Sequence, residues 1–561
     1  MAHSEEGPAD PADAIRRAEA LLLAGEAGPA AALLDAARRR FPDNPLVLAR
    51  LGDAAQMAGN LSEAVATYQA ALQRDETNAE AWYGLGCAQL AQRAYGAAAT
   101  ALGRAVALQP GAAGARYNLG RSLFELGEVD AAARCFRRAA DDPTTSDLAL
   151  RSLACIIPGV GDADHAAILR ARRAWADRLP SREPHPPTRA RAAPAGGRIR
   201  IGYLSAFFGA RNWMKPVWGL INHHDRGRFE IHMFSDGAMP SADSGYRDWE
   251  DDYVHDIRGI PNSRAAEIIA DAGMDILVDL NGYSAQDRLC MLQLRPAPTI
   301  VCWFNMYATS GLGAADWLVG DAEVVRPDEE PHYRERIHRL PGTCLAFEVG
   351  YPVPDVSGPP SLASGRPGPL TFGSLGSLYK LTDDVVAAWA RILREVPAAT
   401  LLLGNAPLSD PSTRDALSDR FARLGIDPAS LILCGRAEHY DFLRLYDRID
   451  IALDTFPYNG GTTTSEALWQ GVPVLAFGGD RWAARTSRSL LLAAGLSDWV
   501  ADDQEAYVRR AVALALDPAT PERLAVLRAG MRARLRVAPV CDTAGLCRAM
   551  ERFYETIARA G

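Results

Sequence analysis

The sequence predicts a helical repeat array followed by two consecutive parallel α/β halves. Three observations carry that expectation: a 34-residue period through the first 145 residues, a switch near residue 198 from helical periodicity to short apolar runs, and a second set of such runs from residue 370. At 561 residues the chain is too long for one hydrophobic core, so about two to four domains are expected. Hydrophobic residues make up 48% and charged residues 23%, the balance of a globular protein rather than a disordered one. A net charge of −9 argues against a nucleic-acid scaffold, which would carry a basic stripe.

The repeats come first in the chain. Leu51-Gly52, Leu85-Gly86 and Leu119-Gly120 recur at a spacing of 34, as do Ala64, Ala98 and Ala132, each followed four residues later by Tyr68, Leu102 or Phe136. Pro42, Glu76 and Pro110 mark the turns, and Gly25, Ala30, Leu34 and Ala37 form a weaker upstream copy. These positions resemble the tetratricopeptide repeat, in which small residues let two helices approach and large ones fill the space between repeats. About four repeats are expected within residues 8–157, the last helix ending near 157. The marked residues are packing residues; the function of such an array lies in its concave surface, which suits an extended protein or peptide.

Residues 158–197 read as a connecting helix and linker, with Pro, Arg and Gly concentrated in 178–198. Apolar runs at 198–206, 229–237, 275–282 and 299–305 read as strands, with a helix at 263–273 between them. A second set lies at 370–376, 399–405, 431–436, 449–456 and 472–477. Continuous apolar strands separated by helices signal parallel sheets covered on both faces. The expected division is an N-terminal half at 198–345, a proline-rich linker at 346–369 and a C-terminal half at 370–561 that includes the terminal helix.

The chemistry concentrates in Asp454 to Gly471, DTFPYNGGTTTSEALWQG. A strand ends, a glycine-bearing loop turns, and a helix begins near the threonines. Gly460 and Gly461 permit close backbone approach, and Thr462 and Thr463 add hydroxyls to the free N–H groups and positive dipole end of the helix. This pattern reads as a pyrophosphate seat, with Glu466 one turn further on in reach of ribose hydroxyls.

This block, together with GSLGSLYK (373–380), LNGYS (280–284), RPAP (295–298) and TSG (309–311) in matching order, resembles the O-linked N-acetylglucosamine transferase/SPINDLY family, particularly its bacterial members. The resemblance covers the whole chain. It implies a GT-B fold: two Rossmann-like domains with a nucleotide sugar in the cleft, an inverted anomeric centre, and no metal or other cofactor. Lys380 matches the family's phosphate-contacting lysine, whose fixed charge stabilises the departing nucleotide. Tyr379, Ala437, His439, Phe442, Asn459, Gly460, Gly461, Thr462, Thr463 and Glu466 are the expected nucleotide-sugar contacts. Asn212, Tyr283, Asn305, Met306 and Tyr307 are the expected sugar or acceptor pocket.

The chain departs from the family pattern in three places. Arg211, followed by Asn212, stands where the family has a His-Pro pair. An arginine cannot act as a base, but it can hold a carboxylate or phosphate bidentately. FNMYA (304–308) replaces a Leu-Gly-Tyr-Pro-Gly loop beside the sugar, and Phe442 replaces a uracil-stacking histidine. Arg211 joins Lys380 as the expected catalytic pair.

The reading that follows is an inverting, metal-independent protein O-glycosyltransferase acting on Ser or Thr of a protein recruited by the repeats. One alternative is a flagellin glycosyltransferase using a CMP-linked nonulosonic acid, which the changed sugar and base sites would explain. Another is a non-catalytic repeat adaptor. Nine scattered cysteines without a CxxC pair, an acidic N-terminal stretch and no apolar run of 18 residues point to a cytoplasmic protein that engages neither membrane nor nucleic acid.

Overall fold

The computed structural model describes residues 10–180 and 197–560. Most of the expected linker therefore lies outside the described residues. The chain divides into two compact units.

The first unit holds the residues up to Leu150 together with Asn405–Arg423 and Cys434–Arg436. Four helix pairs form it: α1 (Pro11–Leu23) with α2 (Ala27–Arg40), α3 (Pro45–Met57) with α4 (Leu61–Arg74), α5 (Ala79–Ala91) with α6 (Tyr95–Leu108), and α7 (Ala113–Glu125) with α8 (Val129–Ala139). A further helix, α9 (Ser146–Ile156), follows. The periodic glycines have a steric cause. A Cβ on Gly52 would lie 2.7 Å from the Tyr68 ring, one on Gly86 2.5 Å from Leu102, and one on Gly120 2.8 Å from Phe136. In each pair the large residue of the second helix lies over the glycine of the first, and Ala64, Ala98 and Ala132 are fully buried beside it. One network crosses successive repeats: Arg50 donates to Glu19 at 2.7 Å, Asp53 at 3.0 Å and Glu80 at 2.7 Å.

The second unit begins at Arg151, within α9, continues through α10 (His165–Ala176) and contains two sheets whose recorded pairings are parallel. The N-terminal half runs β1 (Ile199–Ser205), α11 (Lys215–Ile221), β2 (Phe229–Ser235), β3 (Tyr253–Asp256), α12 (Asn262–Ala272), β4 (Ile276–Asp279), α13 (Leu289–Leu292), β5 (Thr299–Cys302), β6 (Trp317–Asp321) and β7 (Arg336–Leu340). Its strand order is β3-β2-β1-β4-β5-β6-β7. The C-terminal half runs β8 (Thr371–Ser374), α14 (Asp383–Glu395), β9 (Thr400–Gly404), α15 (Pro411–Ala422), β10 (Leu431–Cys434), α16 (His439–Leu443) and β11 (Ile451–Leu453). It continues with α17 (Thr462–Trp469), β12 (Val474–Phe477), α18 (Thr486–Ala493), β13 (Val500–Ala501), α19 (Gln504–Leu516), α20 (Thr520–Arg536) and α21 (Thr543–Ala560), in the strand order β10-β9-β8-β11-β12-β13. Both sheets are doubly wound, so each has a topological switch point, between β1 and β4 and between β8 and β11.

Three differences from the sequence reading have physical causes. Strands β3, β6, β7 and β13 were not foreseen: β3 and β7 are edge strands with polar residues, and β13 is an edge strand of two residues. Other strands end early where the backbone must turn into a functional loop, as at Cys302 before the left-handed Phe304 and Asn305. Two helices of the expected C-terminal half also distribute differently. Helix α21 packs on the N-terminal half, where His224 Nδ1 lies 3.1 Å from Glu551 Oε1 and the His338 and Phe553 rings stack at 3.9 Å. Helix α15 belongs to the repeat unit: Ser412 Oγ accepts from the Ala97 N–H at 3.0 Å and Arg420 donates to Leu126 O at 2.7 Å. Among the described residues no helix is long and apolar enough to cross a membrane.

Candidate functional site: the switch points of two facing sheets

Strand β11 pairs in parallel with β8 on one side and β12 on the other. The loops leaving β8 and β11 diverge at this switch point and open a crevice at the carboxyl ends of the strands, the usual ligand position in such sheets. The loop after β8 carries Tyr379 and Lys380; the loop after β11 carries Asp454 to Gly461 and feeds α17.

Topology therefore brings Lys380 to the glycine loop. Its Nζ donates to Asn459 O at 2.7 Å and sits 4.4 Å from the centre of the Tyr458 ring. Burial pulls this lysine below its ordinary range, to about 8, against the attraction of the Asp454 carboxylate. Burial pushes Asp454 up, opposed by the Gly460 N–H, the Ser487 hydroxyl and Lys380. Asp454 accepts from Gly460 N at 2.8 Å and thereby pins the loop.

Gly461 is the N-cap of α17 and, among the described residues, no side chain caps it, so the first-turn N–H groups are left without a side-chain acceptor, as at helix starts that can seat an anion. Gly460 is required by space: a Cβ there would lie 2.7 Å from Thr463 Oγ1 and collide with Thr464. Thr464 is committed to the framework through Ser487 at 2.7 Å, whereas the Thr462 and Thr463 side chains are half-buried. Asn459 is buried and its amide nitrogen donates to Thr455 O at 2.6 Å. Phe442 is half-buried, Ala437 exposed, and Tyr379 lies edge-on to Tyr458 at 6.2 Å.

The switch point of the N-terminal sheet is built alike. Asn281, after β4, accepts from Ala206 N after β1 at 2.7 Å. Asp279 at the end of β4 is fully buried and pushed up to about 6, although the Gly282 and Asn281 N–H groups oppose the shift. The FNMYA loop carries three non-glycine residues in the left-handed region, Phe304 (φ 65°), Asn305 (φ 54°) and Tyr307 (φ 54°). Such backbone is strained unless over-determined by its surroundings. Asn305 supplies the restraint, accepting from Trp213 Nε1 at 2.9 Å and donating to Leu280 O at 2.9 Å. Gly282 (φ 49°) passes so close to Asn305 O that a Cβ would collide with it.

Two of the expected pocket residues, Tyr283 and Met306, also make framework contacts in this arrangement. The Tyr283 hydroxyl donates to Ser310 O at 2.8 Å, and its ring lies 3.9 Å under the Arg172 guanidinium. Met306 is buried and its carbonyl accepts from Arg172 at 3.1 Å. Tyr307 faces the other half, with its ring 5.2 Å from Tyr458 and its hydroxyl 3.5 Å from where a Gly461 Cβ would stand. Arg211 is exposed at the start of this region and makes a 3.8 Å ion pair with Asp243.

Sequence reasoning missed the cation that joins the halves. Lys215, at the start of α11, is buried and donates to Asn212 O at 2.7 Å, Tyr351 Oη at 3.2 Å and Glu466 Oε1 at 3.1 Å. His439 Nε2 lies 3.5 Å from the same Glu466 oxygen. Burial, with Lys215 and Arg211 adding to it, holds His439 below the usual histidine range against the pull of Glu466. Tyr351 stands edge-on to His439 at 5.6 Å. The only sequence signal for Lys215 is its place four residues after Arg211; a lysine is ordinarily read as exposed.

Two doubly wound sheets with their switch points turned into a common cleft define the GT-B class of glycosyltransferase fold. The chain belongs to glycosyl transferase family 41, which matches residues 181–350 and 368–550, with tetratricopeptide repeats matched at 52–92 and 83–146. A probable UDP-N-acetylglucosamine–peptide N-acetylglucosaminyltransferase SPINDLY of Solanum lycopersicum is 31% identical over 64% of this chain and 38% of its own length. The corresponding Arabidopsis thaliana protein is 32% identical over 64% of this chain and 39% of its length. The chain thus spans about four tenths of these relatives. An O-GlcNAc transferase mutant of Thermobaculum terrenum shares the fold at a TM-score of 0.75 and 31% identity, over 92% of this chain and 98% of that one.

Proposed function

We propose that the protein transfers a sugar from a nucleotide donor to a Ser or Thr hydroxyl of a protein acceptor, in a single displacement that inverts the anomeric carbon and needs no metal. The observation that carries this reading is the convergence of the Lys380 ammonium and the uncapped N-terminus of α17 on one crevice at the switch point. As the glycosidic bond breaks, negative charge grows on the leaving phosphate. A fixed cation and aligned N–H dipoles offset it without rearranging. The names of the SPINDLY and O-GlcNAc transferase relatives support the reaction class and the protein acceptor. The repeat array supports recruitment of that acceptor along its groove, since extended chains suit such surfaces; flagellin is one acceptor to assay.

A second donor reading rests on Arg211, whose guanidinium, among the described residues, makes one long ion pair, to exposed Asp243. A guanidinium so loosely held is available to a donor carboxylate, as in a CMP-linked nonulosonic acid. A thermal-shift screen against UDP, GDP, CMP and their sugars separates the donors, because a ligand at a hundredfold its Kd stabilises by about 2.7 kcal/mol. A shift and turnover with UDP-N-acetylglucosamine alone rejects the carboxylate reading. No shift with any nucleotide rejects the nucleotide-sugar reading altogether.

The lowered Lys380 also sets a pH dependence. The ammonium that meets phosphate is present below its folded-state value and lost above it. Affinity for a nucleoside diphosphate should therefore fall as pH rises through about 8. Calorimetric titration at about pH 7 and about pH 9 should show the loss in the wild type and a flat response in Lys380→Met. A fall of equal size in both proteins would place the titrating group elsewhere.

A further inference from the structure

Glu466 and Lys215 come from different halves of the cleft yet form its most enclosed ion pair, with 5% and 2% of their side chains exposed. An ammonium has three hydrogens. All three of Lys215 have acceptors: Asn212 O, Tyr351 Oη and Glu466 Oε1. Lys215 therefore has no donor left for a phosphate. Lys380 differs, having one hydrogen bond to Asn459 O and the face of Tyr458. Both nitrogen-bearing neighbours of Glu466, the Lys215 ammonium and the His439 imidazole, lie on Oε1. Oε2 makes no hydrogen bond among the described residues.

We propose that Lys215 is a positioning residue for nucleotide recognition: it clamps Glu466 through Oε1 and presents Oε2 to the ribose hydroxyls of the donor. The inference rests on the nucleotide-sugar reading and deepens it. Three segments set the clamp, namely the loop after β1, the stretch between the two halves that carries Tyr351, and the second turn of α17. Ribose recognition is thereby tied to the two halves being together, because the carboxylate belongs to one and its orienting cation to the other. Without Lys215 the carboxylate can leave its rotamer, and a ribose hydroxyl would have to order it at its own entropic cost.

The test is discrimination against a missing hydroxyl. UDP and CMP are compared by calorimetry with their 2′-deoxy and 3′-deoxy forms in the wild type, Lys215→Met and Lys215→Arg. A hydrogen bond to a charged group contributes enough that the wild type should prefer the ribose form by about tenfold or more. Lys215→Met should reduce that ratio to near one and raise the donor KM with little change in kcat, and Lys215→Arg should restore much of the ratio. The fall in affinity near pH 8 assigned to Lys380 should persist in both. A ratio unchanged in Lys215→Met overturns the proposal while leaving the nucleotide reading standing. Failure of every nucleotide to bind the wild type overturns both. Should Lys215→Met not fold, Lys215→Gln, which keeps a donor for Asn212 O, is read by the same ratio.

Discussion

Lys380→Ala is expected to lower sugar transfer by about 10²- to 10³-fold in kcat, the usual loss when one preorganised charge partner of a transition state is removed. The lysine is held by Asn459 O and the Tyr458 ring rather than by a close carboxylate, so its charge is not spent within the protein. Its loss leaves the N–H groups of α17 as the remaining stabilisation of the leaving phosphate. The fold should survive, because the side chain is only half-buried and removing it relieves an ammonium from a desolvated place. Single-turnover transfer to an acceptor peptide reads the chemical step, and pull-down of the acceptor reads the repeats. Lost transfer with retained capture fits the enzyme. Undetectable transfer by the wild type, with capture intact, would favour the adaptor.

Glu329→Ala should be the most destabilising single change at the junction of the two halves, at about 3–5 kcal/mol, the cost of stranding a buried charge. Arg485 is fully buried at the start of α18, and one of its nitrogens donates to both Glu329 oxygens at 2.7 Å. Among the described residues its Nε and Nη1 have no hydrogen-bond partner, so no other group there takes up the charge. His165 lies 3.4 Å from the same carboxylate. Burial works against ionisation of Glu329, but His165 and Arg485 outweigh it and hold the carboxyl down at about 2. A carboxyl lowered in the folded state contributes stability above its ordinary value of 4.5, and that contribution is lost as pH falls toward 2. The difference between wild type and Glu329→Ala in urea midpoint should therefore be full near neutrality and shrink below about pH 4. Asp256→Ala, at an exposed pair with Arg258, should leave the midpoint where it was. Equal effects of the two substitutions would refute the assignment.

How much of the site could be read in advance depended on how local its cause was. The strand-end, glycine-loop and helix-start geometry proposed as an anion seat was legible because it is written in one stretch, with two glycines and threonines between strand and helix. Lys380 was legible only by resemblance, since nothing local distinguishes it from a solvated lysine. Lys215 and Tyr351 were not legible. Their meaning is a meeting with Glu466, made directly by the lysine at a separation of 251 residues and by Tyr351 through that lysine. Tyr283 shows the reverse case, a residue expected in the pocket whose hydroxyl and ring face are both used by the framework.

The same division holds for the fold. By itself the sequence determined the repeat array, whose glycines recur because each must meet a large side chain of its own repeat. It also determined the two sets of buried parallel strands, since continuous apolar runs between helices have few other uses. Only the tertiary structure decided that α21 packs on the N-terminal sheet, that α15 belongs with the repeats, and that Lys215 spends all three hydrogens on Glu466 and two other oxygens. Local periodicity encodes which face of an element is buried. It does not encode which distant element buries it, because that depends on contacts whose partners are far apart in the chain.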